Sequence, residues 1–204
     1  MNNLSFDNAD VCYYKDFLST ETSEHIFLTI SNMFDHEEPR TILNVNFEPK
    51  YKLNRKTMVF IDSDIDTAII PKIWGHNVSV MNFPEDLFEV KNKLEQQLNK
   101  RFNICLANYY TSKKKSIGWH SDNEEKGDTN CIASLSFGAE REFCFRKIGS
   151  NDIYKSIMLH DNSLLVMGQG CQENYQHCLI PAKESKGPRL NLTFRFFDAR
   201  YINF

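Results

Sequence analysis

Three residues from two separate segments have the side chains and the spacing of a metal site. His120 and Asp122 are two positions apart, so in an extended strand they share a face and can bind one ion. A third ligand is available at His177, in a polar stretch that follows Gly168 and Gly170. Two imidazoles and one carboxylate leave three octahedral positions free, as in non-heme iron(II) oxygenases, but they also suit a zinc hydrolase. The triad alone does not decide between these metals.

A second chemical feature lies in the segment 189–196, where polar and apolar residues alternate. In a strand, one face carries Arg189, Asn191, Thr193 and Arg195, and the other carries Leu190, Leu192, Phe194 and Phe196. Such a strand is either a solvated edge or the wall of a polar pocket. Two guanidinium groups on one face can hold both carboxylates of a short diacid through bidentate hydrogen bonds. An iron triad followed by such a clamp implies 2-oxoglutarate.

The elements that must position these residues are mainly short strands. Runs of β-branched and aromatic residues predict strands over 104–110, 131–137, 142–146, 163–167 and 190–197, with a further β-rich stretch over 41–62. Two helices precede the main strands: Ser19 or Thr20 can cap a helix over 21–33, and a second begins near Pro84 and ends near Lys100. The expected fold class is α+β, mainly β, a sandwich or barrel buttressed by N-terminal helices.

Several motifs in a consistent order carry a family resemblance. They are Asn108-Tyr109-Tyr110, Trp119-His120-Ser121-Asp122-Asn123-Glu124, Ala133-Ser134-Leu135-Ser136-Phe137-Gly138, Gln172 with His177, and Pro188-Arg189-Leu190-Asn191-Leu192-Thr193-Phe194-Arg195. Together they resemble the AlkB family of iron(II)/2-oxoglutarate nucleic-acid dioxygenases. The resemblance covers roughly residues 54–197 and implies a double-stranded β-helix, or jelly roll. It implies one domain over 1–204, with supporting helices and a nucleotide-recognition lid in about 1–103 and the jelly-roll core in about 104–200.

The resemblance also implies roles for individual residues. The expected Fe(II) ligands, which are also the expected catalytic residues, are His120, Asp122 and His177. The residues expected to bind 2-oxoglutarate are Asn108, Tyr110, Arg189, Asn191, Thr193 and Arg195. Among these, Arg189 and Tyr110 are expected at the distal carboxylate. Asn108 and Arg195 are expected toward the keto acid end.

The segment 54–62 resembles the family's nucleotide-recognition lid. Arg55 and Lys56 are expected to meet phosphate, and Phe60 is expected either to stack on an extruded base or to be a core aromatic. Related lids carry Tyr-Gly-Asp where this chain has Phe60-Ile61-Asp62, so a hydroxyl hydrogen bond is lost. The full set of expected substrate-binding residues is Arg55, Lys56, Phe60, Asp62, Asn123 and Glu124.

The activity implied by the resemblance is oxidative demethylation. With Fe(II), 2-oxoglutarate and O2, such an enzyme removes N-alkyl groups, as in N1-methyladenine and N3-methylcytosine, from DNA or RNA and releases formaldehyde, succinate and CO2. Two alternatives remain: a 2-oxoglutarate-dependent hydroxylase of a protein or small molecule, and a non-enzymatic nucleic-acid-binding jelly roll. Arg55, Lys56 and Phe60 disfavour the first, and the intact triad with its two arginines disfavours the second.

Composition sets limits on the partners and the location. The 204 residues carry a net charge of −3, but the first 40 hold two basic and eight acidic residues, so the remainder has a small positive excess. This split predicts moderate, salt-sensitive affinity for alkylated DNA or RNA. With no signal peptide or transmembrane segment apparent, we expect a protein of the cytoplasm or nucleus that does not bind membranes. We also expect a monomer. Six scattered cysteines are expected to be reduced thiols.

Overall fold

A computed structural model describes residues 2–43, 48–75, 77–112, 114–122, 128–183 and 187–198. The strands are β1 (Asn2–Asn3), β2 (Val11–Tyr14), β3 (Thr41–Leu43), β4 (Pro49–Lys52), β5 (Lys56–Ile61), β6 (Ser79–Asn82), β7 (Ile104–Tyr110), β8 (Ile117–His120), β9 (Cys131–Gly138), β10 (Arg141–Lys147), β11 (Lys155–Leu159), β12 (Ser163–Gly168), β13 (Tyr175–Leu179) and β14 (Arg189–Arg195). The helices are α1 (Thr20–Asn32), α2 (Ile70–Trp74), α3 (Glu85–Leu98) and α4 (Cys171–Asn174), with a 3₁₀ turn over Thr67–Ile69.

Two sheets form the body of the structure. The larger has the strand order β1-β2-β12-β9-β14-β7-β5-β6, and the smaller has the order β11-β10-β13-β8. Their strand pairs are antiparallel except for the parallel pair β5–β6. A hydrophobic cluster takes Tyr110 and Leu165 from the larger sheet and Phe145 and Leu179 from the smaller, so the two sheets face each other. The mainly β jelly roll predicted from the sequence is confirmed.

Helices α1 and α3 pack on the opposite face of the larger sheet. Ser19 caps α1, since its Oγ accepts a hydrogen bond from the backbone N–H of Thr22 at 3.1 Å. The helix–sheet layer includes Ile26, Ile30, Phe34, Leu87, Val90, Leu94, Leu190, Leu192 and Phe194. The apolar face of β14 therefore lies under the helices, and its polar face points between the two sheets.

The N-terminal part of the chain contributes directly to the larger sheet. Strands β1, β2, β5 and β6 come from the first 103 residues and extend this sheet at both edges. The sheet is therefore not confined to the range 104–200. All six cysteines are free, as the sequence predicts. None of the described helices has the length and apolar character needed to cross a membrane.

A buried asparagine joins the turn before β12 to the start of α1. Asn162 is 8% exposed and has a left-handed backbone with φ of 53°. Its Nδ2 donates to the carbonyl of Leu18 at 2.8 Å, and its Oδ1 accepts from the N–H of Leu18 at 3.0 Å. Replacing Asn162 leaves both buried backbone groups of Leu18 without these partners.

We expect Asn162→Ala to lower the free energy of unfolding by about 3 kcal/mol, measured by urea denaturation, because it removes two buried hydrogen bonds and puts alanine at a positive φ. The control is Asn99→Ala at the end of α3, an exposed position with a similar φ of 50°. In that variant the free energy of unfolding should fall by only about 1 kcal/mol, the cost of placing alanine at a positive φ. Equal losses in the two variants would contradict the role given to the hydrogen bonds.

Candidate active site

The predicted metal ligands come together where the end of β8 pairs with β13. His120 ends β8 and lies directly opposite His177 on β13, with 4.4 Å between the ring centroids. The Nε2 atoms of the two rings each lie 3.6 Å from a different oxygen of Asp122. The ligand atoms of the three residues lie within 4.8 Å of one another. This arrangement suits one metal ion bound by two imidazoles and a carboxylate.

Neighbouring groups fix the orientation of each ligand. The Nδ1 of His120 lies 2.8 Å from the carbonyl of Gly118, and a carbonyl only accepts, so this nitrogen carries the proton and Nε2 is free to bind metal. The backbone N–H of Asp122 donates to Oε1 of the buried Gln172 at 2.9 Å. The ring of Phe143 stacks on His177 at a centroid distance of 5.2 Å.

The electrostatics of the site favour the metal-binding forms of the ligands. Burial opposes ionisation of Asp122, but the charge of Arg195, together with the two imidazoles, outweighs it and holds the pKa of this carboxyl at about 2. The Nη2 of Arg195 lies 2.9 Å from Oδ1 of Asp122. Burial lowers the pKa of His177 to about 3, against the opposing effect of Asp122. Near neutral pH the carboxylate is therefore ionised and this imidazole is neutral, as metal binding requires.

The three candidate metal ligands line a cavity of about 200 Å³, and the wall of this cavity includes the polar face of β14. This strand lies between β7 and β9 in the middle of the larger sheet. All four polar side chains of β14 are buried, and all four line the cavity. Of the two alternatives left by the sequence, the pocket wall is therefore correct and the solvated edge is wrong.

Serines on β9 hold the polar face in place, a feature that the sequence reasoning missed. The Nη2 of Arg189 donates to Ser136 Oγ at 2.9 Å, and Nδ2 of Asn191 donates to Ser134 Oγ at 2.8 Å. Thr193 Oγ1 donates to Oδ1 of Asn191 at 3.1 Å. The signal was present in the alternation of small polar and apolar residues along 133–137.

The two arginines of β14 have different surroundings. Arg195 is paired with Asp122 at the metal end, whereas the guanidinium carbon of Arg189 lies 5.3 Å from the ring centroid of Tyr110. Arg189 is 3% exposed, and burial lowers its pKa to about 10, so it stays charged at neutral pH. Its Nε has no hydrogen-bond partner within the described ranges. A charged donor that is buried and incompletely bonded fits the distal carboxylate of a short diacid.

Of the expected substrate contacts, Arg55 reaches the cavity and Phe60 does not. The Nε of Arg55 donates to Oδ1 of Asn108 at 2.6 Å, and both side chains line the cavity. Phe60 is 0% exposed and stacks on Phe83 in the helix–sheet layer, so the expectation that it stacks on a base is wrong. The reason is strand alternation, which points Phe60 toward α3 and away from the cavity.

Two more residues expected to contact the substrate instead bind other residues of the protein. The Nζ of Lys56 donates to the carbonyl of Phe34 at 2.8 Å. Both oxygens of Asp62 lie 2.9 Å from Nζ of Lys91, a buried residue of α3. This ion pair gives Asp62 a structural role in place of the expected substrate contact. The last two expected contacts are outside the described residues; these are Asn123 and Glu124.

The chain matches a protein family and several known proteins in sequence. The 2OG-Fe(II) oxygenase superfamily matches residues 10–195. The alpha-ketoglutarate-dependent dioxygenase alkB homolog 3 of Homo sapiens is 40% identical over 115 residues, which cover 52% of this chain and 40% of that protein. The DNA oxidative demethylase ALKBH2 of Arabidopsis thaliana is 33% identical over 212 residues, which cover 92% of this chain and 66% of that protein. These relatives confirm the resemblance to the AlkB family, although the chain spans only about two fifths of the length of alkB homolog 3.

Two solved structures share the fold. The structure of OsALKBH1 matches with a TM-score of 0.63 at 18% identity and covers 91% of this chain and 97% of that one. A prolyl hydroxylase from Trichoplax adhaerens, in complex with a hypoxia inducible factor peptide fragment, matches with a TM-score of 0.62 at 12% identity and covers 93% and 84%. At these identities the likeness concerns the fold alone.

The buried imidazole of His177 makes the metal-free protein sensitive to acid. Its folded-state pKa of about 3 lies below the ordinary value of 6.5, so between these values the unfolded chain binds a proton that the folded chain does not. Burying this imidazole carries no proton-linked cost above about pH 6.5, and the cost in folding free energy grows as the pH falls toward 3. Asp122 adds little to this change, because its contribution is lost only below its ordinary value of 3.8.

We expect the free energy of unfolding of the metal-free protein, measured with urea, to fall by a few kcal/mol between about pH 7 and pH 4. The slope should be clearly shallower in His177→Gln, because this variant cannot take up the proton on unfolding. The matched control is His36→Gln, an exposed histidine after α1, which should keep the parental slope. A parental slope in His177→Gln would be inconsistent with a buried, neutral imidazole.

Proposed function

This chain belongs to the 2OG-Fe(II) oxygenase superfamily, and we propose that it is an oxidative demethylase of alkylated DNA or RNA. Its substrates are N-alkylated bases such as N1-methyladenine and N3-methylcytosine. The observation that carries the proposal is the cluster of His120, Asp122 and His177, which shares one cavity with both arginines of β14. The names of the relatives, alkB homolog 3 and DNA oxidative demethylase ALKBH2, support the same substrate class.

The residues of the cavity fit the family's metal and co-substrate. His120, Asp122 and His177 would hold Fe(II) through two nitrogens and one carboxylate oxygen. Arg189, beside Tyr110, would bind the distal carboxylate of 2-oxoglutarate through charge-assisted hydrogen bonds.

When bound, Fe(II) with 2-oxoglutarate and O2 supplies the oxidation of an N-methyl group, with release of formaldehyde, succinate and CO2. The protein contributes orientation and exclusion of water. Arg195 keeps Asp122 ionised and in place, and the N–H of Asp122 is held by Gln172. The apolar side chains of Leu106 and Leu179 line the same cavity and help to limit access of water to the reacting groups.

A surface groove next to the cavity suits the nucleotides that flank the target base. This groove, of about 440 Å³, includes Tyr51, Lys52, Arg55 and Trp119 and reaches His120 at the mouth of the cavity. Aromatic rings can stack on bases and cationic side chains can contact phosphates, as in other proteins that bind single strands. Tyr51 is 54% exposed and is accessible for such stacking.

The target base itself has to leave the strand to reach the metal. Enzymes that modify bases flip them into a pocket and hold them by stacking. Trp74, at the end of α2, lines the cavity and lies 5.9 Å from the guanidinium carbon of Arg195. We assign to Trp74 the stacking role that the sequence had offered to Phe60.

His120→Ala should abolish turnover, with a loss of at least about 100-fold, because one of the three metal ligands is removed. The assay is mass spectrometry of DNA and RNA oligonucleotides with N1-methyladenine or N3-methylcytosine, with succinate and formaldehyde measured in parallel. His25→Ala, on the exposed face of α1, is the matched control and should retain full activity.

Two outcomes of this assay would overturn the proposal. Undiminished turnover in His120→Ala would refute the assigned metal site. Succinate release with a peptide panel, but with none of the methylated oligonucleotides, would refute the assigned substrate class in favour of a hydroxylase of proteins.

A further inference from the structure

Besides Arg189 and Arg195, a further arginine is buried behind the cavity. Arg141 is the first residue of β10 and is 1% exposed. It shares a face of β10 with Phe143, which lines the cavity, so its side chain also points between the two sheets. Its Nη2 donates to the carbonyls of Lys115 at 2.6 Å and Ile180 at 2.5 Å. Its Nε has no hydrogen-bond partner among the residues that the structure describes.

Arg141 lies beside Arg189, the residue expected to bind the distal carboxylate of the co-substrate. Burial is the main cause that lowers the pKa of Arg189, and the positive charge of Arg141 lowers it further. Arg189 pairs in register with Tyr110 on β7 and with Gly138 on β9, three residues before Arg141, and its guanidinium carbon lies 5.3 Å from the ring centroid of Tyr110. Arg141, Tyr110 and Arg189 therefore form one cluster, contributed by β10, β7 and β14.

The charges at the two ends of the cavity differ. At the metal end, Arg195 is paired with Asp122. At the other end, neither Arg141 nor Arg189 forms an ion pair with any carboxylate in the described ranges. Unpaired buried charges are costly, and two like charges in one cluster add mutual repulsion. An anion bound at this end relieves both costs.

We propose that Arg141 is a positioning residue that determines specificity for a co-substrate with a second carboxylate. Its charge adds to that of Arg189 and favours 2-oxoglutarate over 2-oxo acids that lack the distal carboxylate. It acts through Tyr110 and Arg189, since its own side chain does not line the cavity. The inference rests on the use of 2-oxoglutarate in the proposed function and concerns the binding of that molecule alone.

The test is calorimetric binding to the Mn(II)-loaded protein, without nucleic acid and without turnover. The two probes are 2-oxoglutarate and 2-oxopentanoate, in which a methyl group replaces the distal carboxylate. We expect Arg141→Gln to weaken 2-oxoglutarate binding about tenfold or more and to change 2-oxopentanoate binding less than about twofold. Arg141→Lys keeps the charge and should restore most of the affinity for 2-oxoglutarate.

A control on the same strand separates this effect from a general loss of positive charge. Arg146 lies on the opposite face of β10, where its guanidinium carbon is 4.6 Å from the ring centroid of Trp119, and Arg146→Gln should leave both affinities unchanged. If Arg141→Gln weakened the binding of both probes equally, Arg141 would have only a structural role, holding its two carbonyl partners, and the proposal would be overturned. Unchanged affinities would also overturn the proposal. Because no nucleic acid is present, failure of demethylation does not affect the result.

Discussion

The structure depends on burying a strand whose two faces have opposite chemistry. The apolar face of β14 packs under α1 and α3, whereas its polar face brings two arginines, an amide and a hydroxyl between the sheets. Buried charges and polar groups need partners. Asp122, which follows β8 of the facing sheet, pairs with Arg195, and the serines of β9 accept hydrogen bonds from Arg189 and Asn191. The incompletely bonded guanidinium group of Arg189 is where we propose that the anion binds.

The smaller sheet supplies the other half of the same site. Antiparallel pairing of β8 with β13 sets His120 opposite His177, and Asp122 follows β8 closely enough to reach both rings. Arg195 then connects the metal ligands to β14 on the facing sheet. The proposed metal site and the proposed co-substrate site therefore share one cavity, because the jelly roll places the two sheets face to face.

The sequence predicted the parts of this site that have a strong local pattern. The alternation along β14 predicted the arginine face, the His-x-Asp spacing predicted two of the three candidate metal ligands, and β7 has the predicted bounds. Strands β8 and β13 were missed because IGWH and YQHCL are short and lack a clear apolar alternation. The roles of Phe60, Asp62 and Arg141 depend on which distant element each side chain faces. Local sequence spacing does not carry that information. The expected monomeric state and intracellular location stay predictions.

The central claim is that the His-Asp-His cluster and the polar face of β14 form one binding site. It is tested most directly by a crystal structure of the protein with Mn(II) and 2-oxoglutarate, with the metal located by anomalous diffraction. The account predicts one metal ion bound by His120, Asp122 and His177, with the distal carboxylate of 2-oxoglutarate on Arg189. A metal ion bound elsewhere, or 2-oxoglutarate bound outside this cavity, would contradict it.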